Sequence, residues 1–171
     1  MHFECLGSEA DGPTLRLDHE VFAYAGKFVM SNSGKTVARE ESEILGAIAF
    51  SEDTSEPTTV HLRYVTVRDD RRGEGIGPQL LRFTAETLDY ERVVIAVNNP
   101  IAYEACYRAG FAYTGDQPGI AELRLVYAPD ERDSARYGEG FAVFAERDLP
   151  PEHERICEEY GDELPEIVEV P

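Results

Sequence analysis

Tryptophan is absent from these 171 residues, methionine occurs twice, and lysine occurs only at Lys27 and Lys35. Cysteine is scarce too. Cys5, Cys106 and Cys157 are odd in number, scattered and without C-x-x-C spacing, which excludes a disulfide framework or a zinc knuckle and predicts reduced thiols. No secretory apolar region and no apolar run of membrane-spanning length occurs, so a soluble, cytoplasmic protein with no membrane partner is expected. Positive charge is the scarcest commodity: 34 acidic residues face 16 basic ones, giving a net charge of −18 and a pI near 4.5. Nucleic acid would meet a strongly like-charged surface and is excluded as a partner. The 42% hydrophobic content is ordinary for a folded chain, so the acidity does not signal disorder. An acidic, lysine-poor surface predicts adaptation to a salty cytoplasm, where screening reduces self-repulsion.

What is present centres on Arg71 to Leu81, RRGEGIGPQLL. The alternating run His61 to Val67 reads as a strand before it, and Gln79 to Leu88 reads as a helix with one buried face after it. Gly73, Gly75 and Gly77 lie between them, followed by Pro78, a residue favoured in a first helical turn. Such a turn exposes free N–H groups where the helix dipole favours negative charge, and it predicts a phosphate or pyrophosphate cradle. A dinucleotide fingerprint needs G-x-G-x-x-G, which the spacing fails. A Walker loop fails as well, because Val29 stands where its first Gly belongs ahead of Gly34, Lys35 and Thr36. The segment His61 to Arg82 is locally +2, with five arginines against Asp69, Asp70 and Glu74, whereas Pro129 to Pro171 carries −10. The basic island either supports an anionic ligand or pairs internally with those three acids.

Along the chain, Met1 to Leu6 reads as a strand and Leu15 to Val29 as a helix bearing His19. Lys35 to Arg39, Ile44 to Phe50 and Thr59 to Val67 are further strands. Arg92 to Val97 is a continuous apolar run suited to a buried strand. Asn98, Asn99 and Pro100 start a second helix over Ile101 to Ala109, ended by Gly110. Phe111 to Thr114 and Ala121 to Tyr127 are strands; Phe141 to Phe144 reads as a strand, Glu152 to Tyr160 as a short helix, and Ile167 to Val170 as a last strand. The order strand–helix–strand–helix–strand argues for an α/β domain with its ligand at the carboxyl ends of the strands.

The pattern R-x-x-G-x-G from Arg72 to Gly77, with Val67 upstream, resembles the acyl-CoA-binding loop of the GNAT superfamily of N-acyltransferases. Asn99, Ala102, Gly110 and Phe111 match that family's second helix in spacing and order. With the acidic composition, the chain resembles haloarchaeal-type members. The resemblance implies a GNAT-like α/β fold, a mixed central sheet flanked by helices, over residues 1–127, with an acidic C-terminal extension over 128–171. It implies acetyl-CoA as acyl donor, no metal, and direct transfer to a primary amine of a small molecule or protein. By that resemblance the amides of Arg72, Gly73, Glu74, Gly75, Ile76 and Gly77 hold the CoA pyrophosphate. The backbone around Val65 and Val67 then flanks the pantetheine arm, and Asn99 contacts that arm or positions the second helix.

Members of the family often place a Tyr four residues before the Gly of Gly-Phe to protonate the departing thiolate; here that position is Cys106. Tyr103 is the leading candidate for the acid, with Tyr107 and Cys106 as alternatives; a small buried helix residue is the simplest reading of Cys106. Candidate bases are His61 and Tyr64, on opposite faces of their strand by alternation, together with Glu43, Glu122 and His19, or a water relay. His153 and Cys157 sit at i, i+4 but lack the partners a metal needs. A C-terminal strand would allow two copies to pair as a homodimer. The rival functions are a CoA-binding module without turnover and a site for another phosphate ligand.

Overall fold

The computed structural model describes residues 1–159 and 163–171. They form two compact units, Met1–Val93 with Val168–Pro171, and Val94–Ile167.

In the first unit β1 (His2–Gly7), β2 (Gly34–Glu40), β3 (Glu43–Glu52) and β4 (Thr59–Val67) pair successively antiparallel. The β2–β3 hairpin turns through Glu41 and Ser42, and Glu41 takes a left-handed φ of 58°, as two-residue hairpin loops require. Helix α1 (Ile76–Thr87) lies on this sheet with Leu80, Leu81 and Thr84 buried, the face that the sequence spacing predicts. A Cβ on Gly46 would stand 3.4 Å from Leu80 Cδ2 and 3.0 Å from the Thr66 carbonyl, so glycine sets how closely α1 approaches β3. Thr36 and Thr84 share a buried hydroxyl–hydroxyl bond of 2.6 Å.

The helix expected over Leu15 to Val29 does not form. Its apolar spacing correctly picks buried residues, Leu15, Phe22, Ala25 and Phe28, but the chain doubles back so that Leu15 N donates to Phe28 O at 2.8 Å. Only a single tight turn, Ala25–Lys27, is helical, entered through Tyr24 with φ 60°. The cause is tertiary. Lys35, fully buried, donates from Nζ to Pro13 O and Met30 O at 2.7 Å each, and to Ser33 O and Ser33 Oγ at 2.9 Å. These oxygens replace the water a buried ammonium loses, and they pull both ends of the segment to one point. His19 therefore sits on a turn closed by Asp18, not on a helix.

The second unit contains β5 (Arg92–Val97, paired from Val94), α2 (Pro100–Ala109), β6 (Phe111–Tyr113) and β7 (Leu123–Tyr127), followed by α3 (Ser134–Ala145) and α4 (Pro151–Glu159). Strand β7 pairs antiparallel with both β5 and β6. Gly110 ends α2 at φ 106°, and a side chain there would meet the Tyr127 ring at 2.9 Å. The strand expected over Phe141 to Phe144 is instead part of α3, capped by Asp133, whose Oδ1 accepts from Arg136 N at 2.8 Å. Tyr137, Gly140, Phe141 and Phe144 are buried at helical spacing, which a four-residue window conceals. Arg132 Nη1 donates to Tyr107 O at 2.8 Å and Pro165 O at 3.0 Å, fastening the chain beyond α4 to α2. Ile167 to Val170 is irregular rather than a strand, and in the first unit Val168 O accepts from Arg82. The predicted helix Glu152 to Tyr160 appears as α4, with Tyr160 outside the described residues.

Candidate active site

In the first unit, β4 leads through a single turn at Asp69–Arg71 into the glycine loop. Gly73 and Gly75 hold φ of 83° and 82°, a left-handed conformation strained for other residues. Gly75 is the N-cap of α1, and its oxygen receives the Gln79 amide at 3.2 Å. Among the described residues the amides from Arg72 to Gly77 donate to no acceptor. Nothing lies within 4 Å of a Cβ built on Gly73, and only Val67 Cγ2, at 3.7 Å, meets one on Gly77. Unspent N–H groups, a helix N-terminus and room for close approach together fit the pyrophosphate of an acyl-CoA.

The arginines are otherwise engaged, as the internal-pairing reading foresaw. Arg68 pairs with Asp70 at 3.0 Å and Glu43 at 3.1 Å, Arg71 with Glu74 at 2.9 Å and Glu40 at 3.3 Å, and Arg72 with Asp69 at 2.9 Å. Hydrogen bonds to Glu74 and Glu40 push the Arg71 guanidinium pKa upward, and the bond from Arg68 holds the Asp70 carboxyl below its ordinary value. The main chain, rather than a patch of free cations, is thus what the loop leaves available to an anion. Glu43, expected as a candidate base, is committed to Arg68.

Strand register corrects one expectation. Ala49 pairs with Tyr64 but Phe50 with Leu62, so Arg63 is an extra residue in β4, a β-bulge. Ser51 pairs with His61; Ala49 and Ser51 share a face, so His61 and Tyr64 share it too, instead of lying on opposite faces. Thr66, opposite Ala47, joins them, while Val65 and Val67 point to the face that carries α1.

In the second unit Asn99 Oδ1 accepts from Ala102 N at 2.9 Å, which makes it the cap of α2. The cap fixes the start of α2. Tyr103 is fully buried, and its hydroxyl donates to Tyr137 O at 2.9 Å and Arg136 O at 3.3 Å. Tyr107 is fully buried as well, its hydroxyl accepting from Tyr113 N at 2.8 Å. Cys106 is 1% exposed. Burial raises the pKa of all three groups. Sequence reasoning found these residues but missed that α3 closes over Tyr103, because the covering rings lie more than thirty positions downstream. No cluster of three or more His, Cys, Asp or Glu suited to a metal occurs among the described residues, and none of their helices is long and apolar enough to cross a membrane.

The loop of uncommitted amides at the start of α1 suits an anionic ligand such as the pyrophosphate of an acyl-CoA. The sequence model of the acetyltransferase (GNAT) family matches residues 6–111, and the chain belongs to that family. Its activity is acetyl transfer from acetyl-CoA. Among solved structures it is similar to an acetyltransferase from Thermus thermophilus, at 20% identity, TM-score 0.55, covering 74% of this chain and 96% of that one. It is also similar to a Bacillus subtilis acetyltransferase in complex with CoA, at 16% identity, TM-score 0.54 and coverage of 74% and 97%. The α/β fold expected from the sequence is the fold these structures share with it. No curated protein matches the chain.

Proposed function

We propose that this acetyltransferase moves the acetyl group directly to a primary amine of a small molecule or protein, with the amides of Arg72 to Gly77 holding the donor's pyrophosphate. The single observation that carries this reading is that run of uncommitted amides at the start of α1. Bound acetyl-CoA supplies an activated thioester; the residues of the chain bind, orient and move protons. The backbone of Val65 and Val67 lies along the pantetheine arm, where N–H donors lower the barrier as negative charge grows on the carbonyl oxygen. Of the three groups considered as the acid, Tyr107 is favoured: its hydroxyl accepts from an amide, while the Tyr103 proton is already given to Tyr137 O. Cys106, a thiol whose pKa burial raises, serves as packing. Residues 1–127 are the catalytic domain and 128–171 its acidic extension, in a cytoplasmic protein that acts without nucleic acid or membrane; the C-terminal strand that would have paired two copies is not formed.

Calorimetric titration in high-salt buffer tests the donor. Acetyl-CoA binds saturably and ATP at least about tenfold more weakly; equal affinity for the two would sink the reading. The net charge of −18 supports salt adaptation, as in haloarchaeal proteins. Raising KCl from about 0.1 M to about 2 M shortens the screening length to a few ångströms. The melting temperature then rises by about 4–8 °C, the equivalent of about 2 kcal/mol; a flat or falling melting temperature would remove that assignment.

A further inference from the structure

Residues 13–33 contain no regular element besides the single turn at Ala25–Lys27, yet they are fastened at both ends and at the middle. The ends meet at Lys35. Its place in the sheet is interior, with Gly7 of β1 on one side and Ala49 of β3 on the other. Its ammonium reaches four oxygens, all of them neutral: those of Pro13, Met30 and Ser33, and the Ser33 hydroxyl. Of the 16 basic residues only Lys27 and Lys35 are lysines, and Lys27 is exposed. A compact ammonium with three donors fits converging main-chain oxygens, which a planar guanidinium fork does not. The buried lysine stands where its shape is needed.

The middle of the segment reaches the entrance of the glycine loop. Asp18 O accepts from Val21 N at 3.1 Å and from Phe22 N at 2.9 Å, and Val21 O accepts from Asp69 N at 2.9 Å. Phe22 is buried, and the Arg68 guanidinium stands 6.0 Å from its ring. Arg68 and Asp69 follow β4 directly, and Asp69 opens the turn that delivers the chain to Arg72. On the sheet side, Arg68 N donates to Leu45 O at 2.9 Å. Among the described residues, Arg68 and Asp69 supply the two amides of 68–77 that donate to main chain outside that stretch. One tether of the loop is thus the sheet, and the other is the segment that Lys35 closes.

We propose that residues 13–33 are a strap that positions the glycine loop for the donor, with the Asp69 amide as its joint and Lys35 as its clasp. The assignment rests on the acetyl-transfer reading above and adds to it the device that sets the loop. Asp69 and Lys35 are positioning residues, acting through the main chain of Arg72 to Gly77. A loop released from the strap keeps one tether and samples more conformations, and binding a pyrophosphate then has to restrict them. The linkage is reciprocal: what the strap adds to donor affinity, the donor adds to the order of the strap. Acetyl-CoA therefore slows amide exchange along residues 13–33 as well as at 72–77.

The joint is removable without disturbing the turn. Asp69 is exposed and is the first residue of its turn, after Arg68 at φ −49° and ψ 133°, a setting that proline tolerates. Asp69→Pro deletes the amide hydrogen. Asp69→Ala keeps it and loses the same carboxylate, with its pair to Arg72. In calorimetry Asp69→Pro binds acetyl-CoA about fivefold or more weakly than Asp69→Ala, the size expected of one backbone hydrogen bond. In deuterium exchange read by mass spectrometry, acetyl-CoA slows residues 13–33 in wild type and Asp69→Ala but not in Asp69→Pro, while 72–77 are protected in all three. Lys35→Met keeps the aliphatic stem and removes the ammonium. It speeds exchange along 13–33 by about tenfold or more, and adding Asp69→Pro to it costs no further affinity, because the strap is already released. The Asp69 pair decides the matter even where Lys35→Met does not fold. Affinities of the two Asp69 variants within about twofold of each other overturn the proposal. So does protection of 13–33 by acetyl-CoA that survives the proline. A wild type that does not bind acetyl-CoA, or binds it with 72–77 unprotected, is a different result and removes the donor reading beneath it.

Discussion

Gly77→Asp eliminates acetyl-CoA binding and leaves the protein folded. The position is chosen because its backbone does not need glycine. Gly73 and Gly75 hold left-handed φ, so any side chain there adds strain, whereas Gly77 is free of that constraint. A Cβ on Gly77 meets only Val67 Cγ2, at 3.7 Å, an ordinary contact. The aspartate would stand in the first turn of α1, among amides that donate to nothing else in the described residues. A carboxylate at a helix N-terminus stabilises the helix by about 0.3–1 kcal/mol, so the melting temperature holds or rises slightly. Toward a pyrophosphate the same charge is repulsive, about 4 kcal/mol per unit pair at contact distance near a protein surface. It also occupies the donors that the ligand needs. Affinity therefore drops by about 100-fold or more, while Gly77→Ala, adding volume without charge, loses about tenfold or less. Calorimetry and a thermal melt on the two variants separate these effects. Acetyl-CoA affinity in Gly77→Asp equal to wild type would mean that the loop is only a turn.

The parts of the molecule legible in the sequence are those whose causes are local. The glycine loop announces itself by Gly73, Gly75 and Pro78 within six residues, and α2 by an Asn99 cap at one end and Gly110 at the other. Four of the seven strands among the described residues lie in successive antiparallel pairing, where alternation alone reveals them. What escaped the sequence depends on partners far along the chain. Leu15 to Val29 has helical spacing, but the Lys35 ammonium gathers carbonyls from Pro13 and Met30 and overrides it. The β4 bulge is a mismatch between two strands and is invisible in either alone, so simple alternation puts His61 and Tyr64 on opposite faces although they share one. The ion pairs of Arg68, Arg71 and Arg72 were readable as one of two alternatives, since their acids lie within three positions. Tyr103 could be named as a candidate acid from its spacing, but its burial depends on α3, which the sequence pattern misread in part as a strand.

Gly140→Ala is a severely destabilising change even though alanine is the better helix former. An added Cβ would overlap Tyr103 Oη and Cζ and lie 2.6 Å from Cε2, far inside contact distance. The ring has nowhere to go. Tyr107, Tyr113, Tyr137, Phe141 and Phe144 surround it with centroids between 5.0 and 6.0 Å away, and its hydroxyl is bound to two carbonyls of the helix that carries Gly140. Overpacking of this kind costs about 3 kcal/mol. Glycine-to-alanine replacement inside a helix returns about 0.5–1 kcal/mol, so the net loss is about 2 kcal/mol and the melting temperature falls by about 4–8 °C. The contact is tested by changing its other side. Tyr103→Ala alone opens a cavity and costs about 3–5 kcal/mol. On that background the new methyl group meets empty space, and Gly140→Ala becomes neutral or stabilising by about 0.5–1 kcal/mol. The sign of one substitution then depends on whether the other ring is present, a coupling that helix propensity alone cannot produce. Equal effects of Gly140→Ala in the two backgrounds, measured by urea denaturation, would show that Tyr103 does not rest on α3.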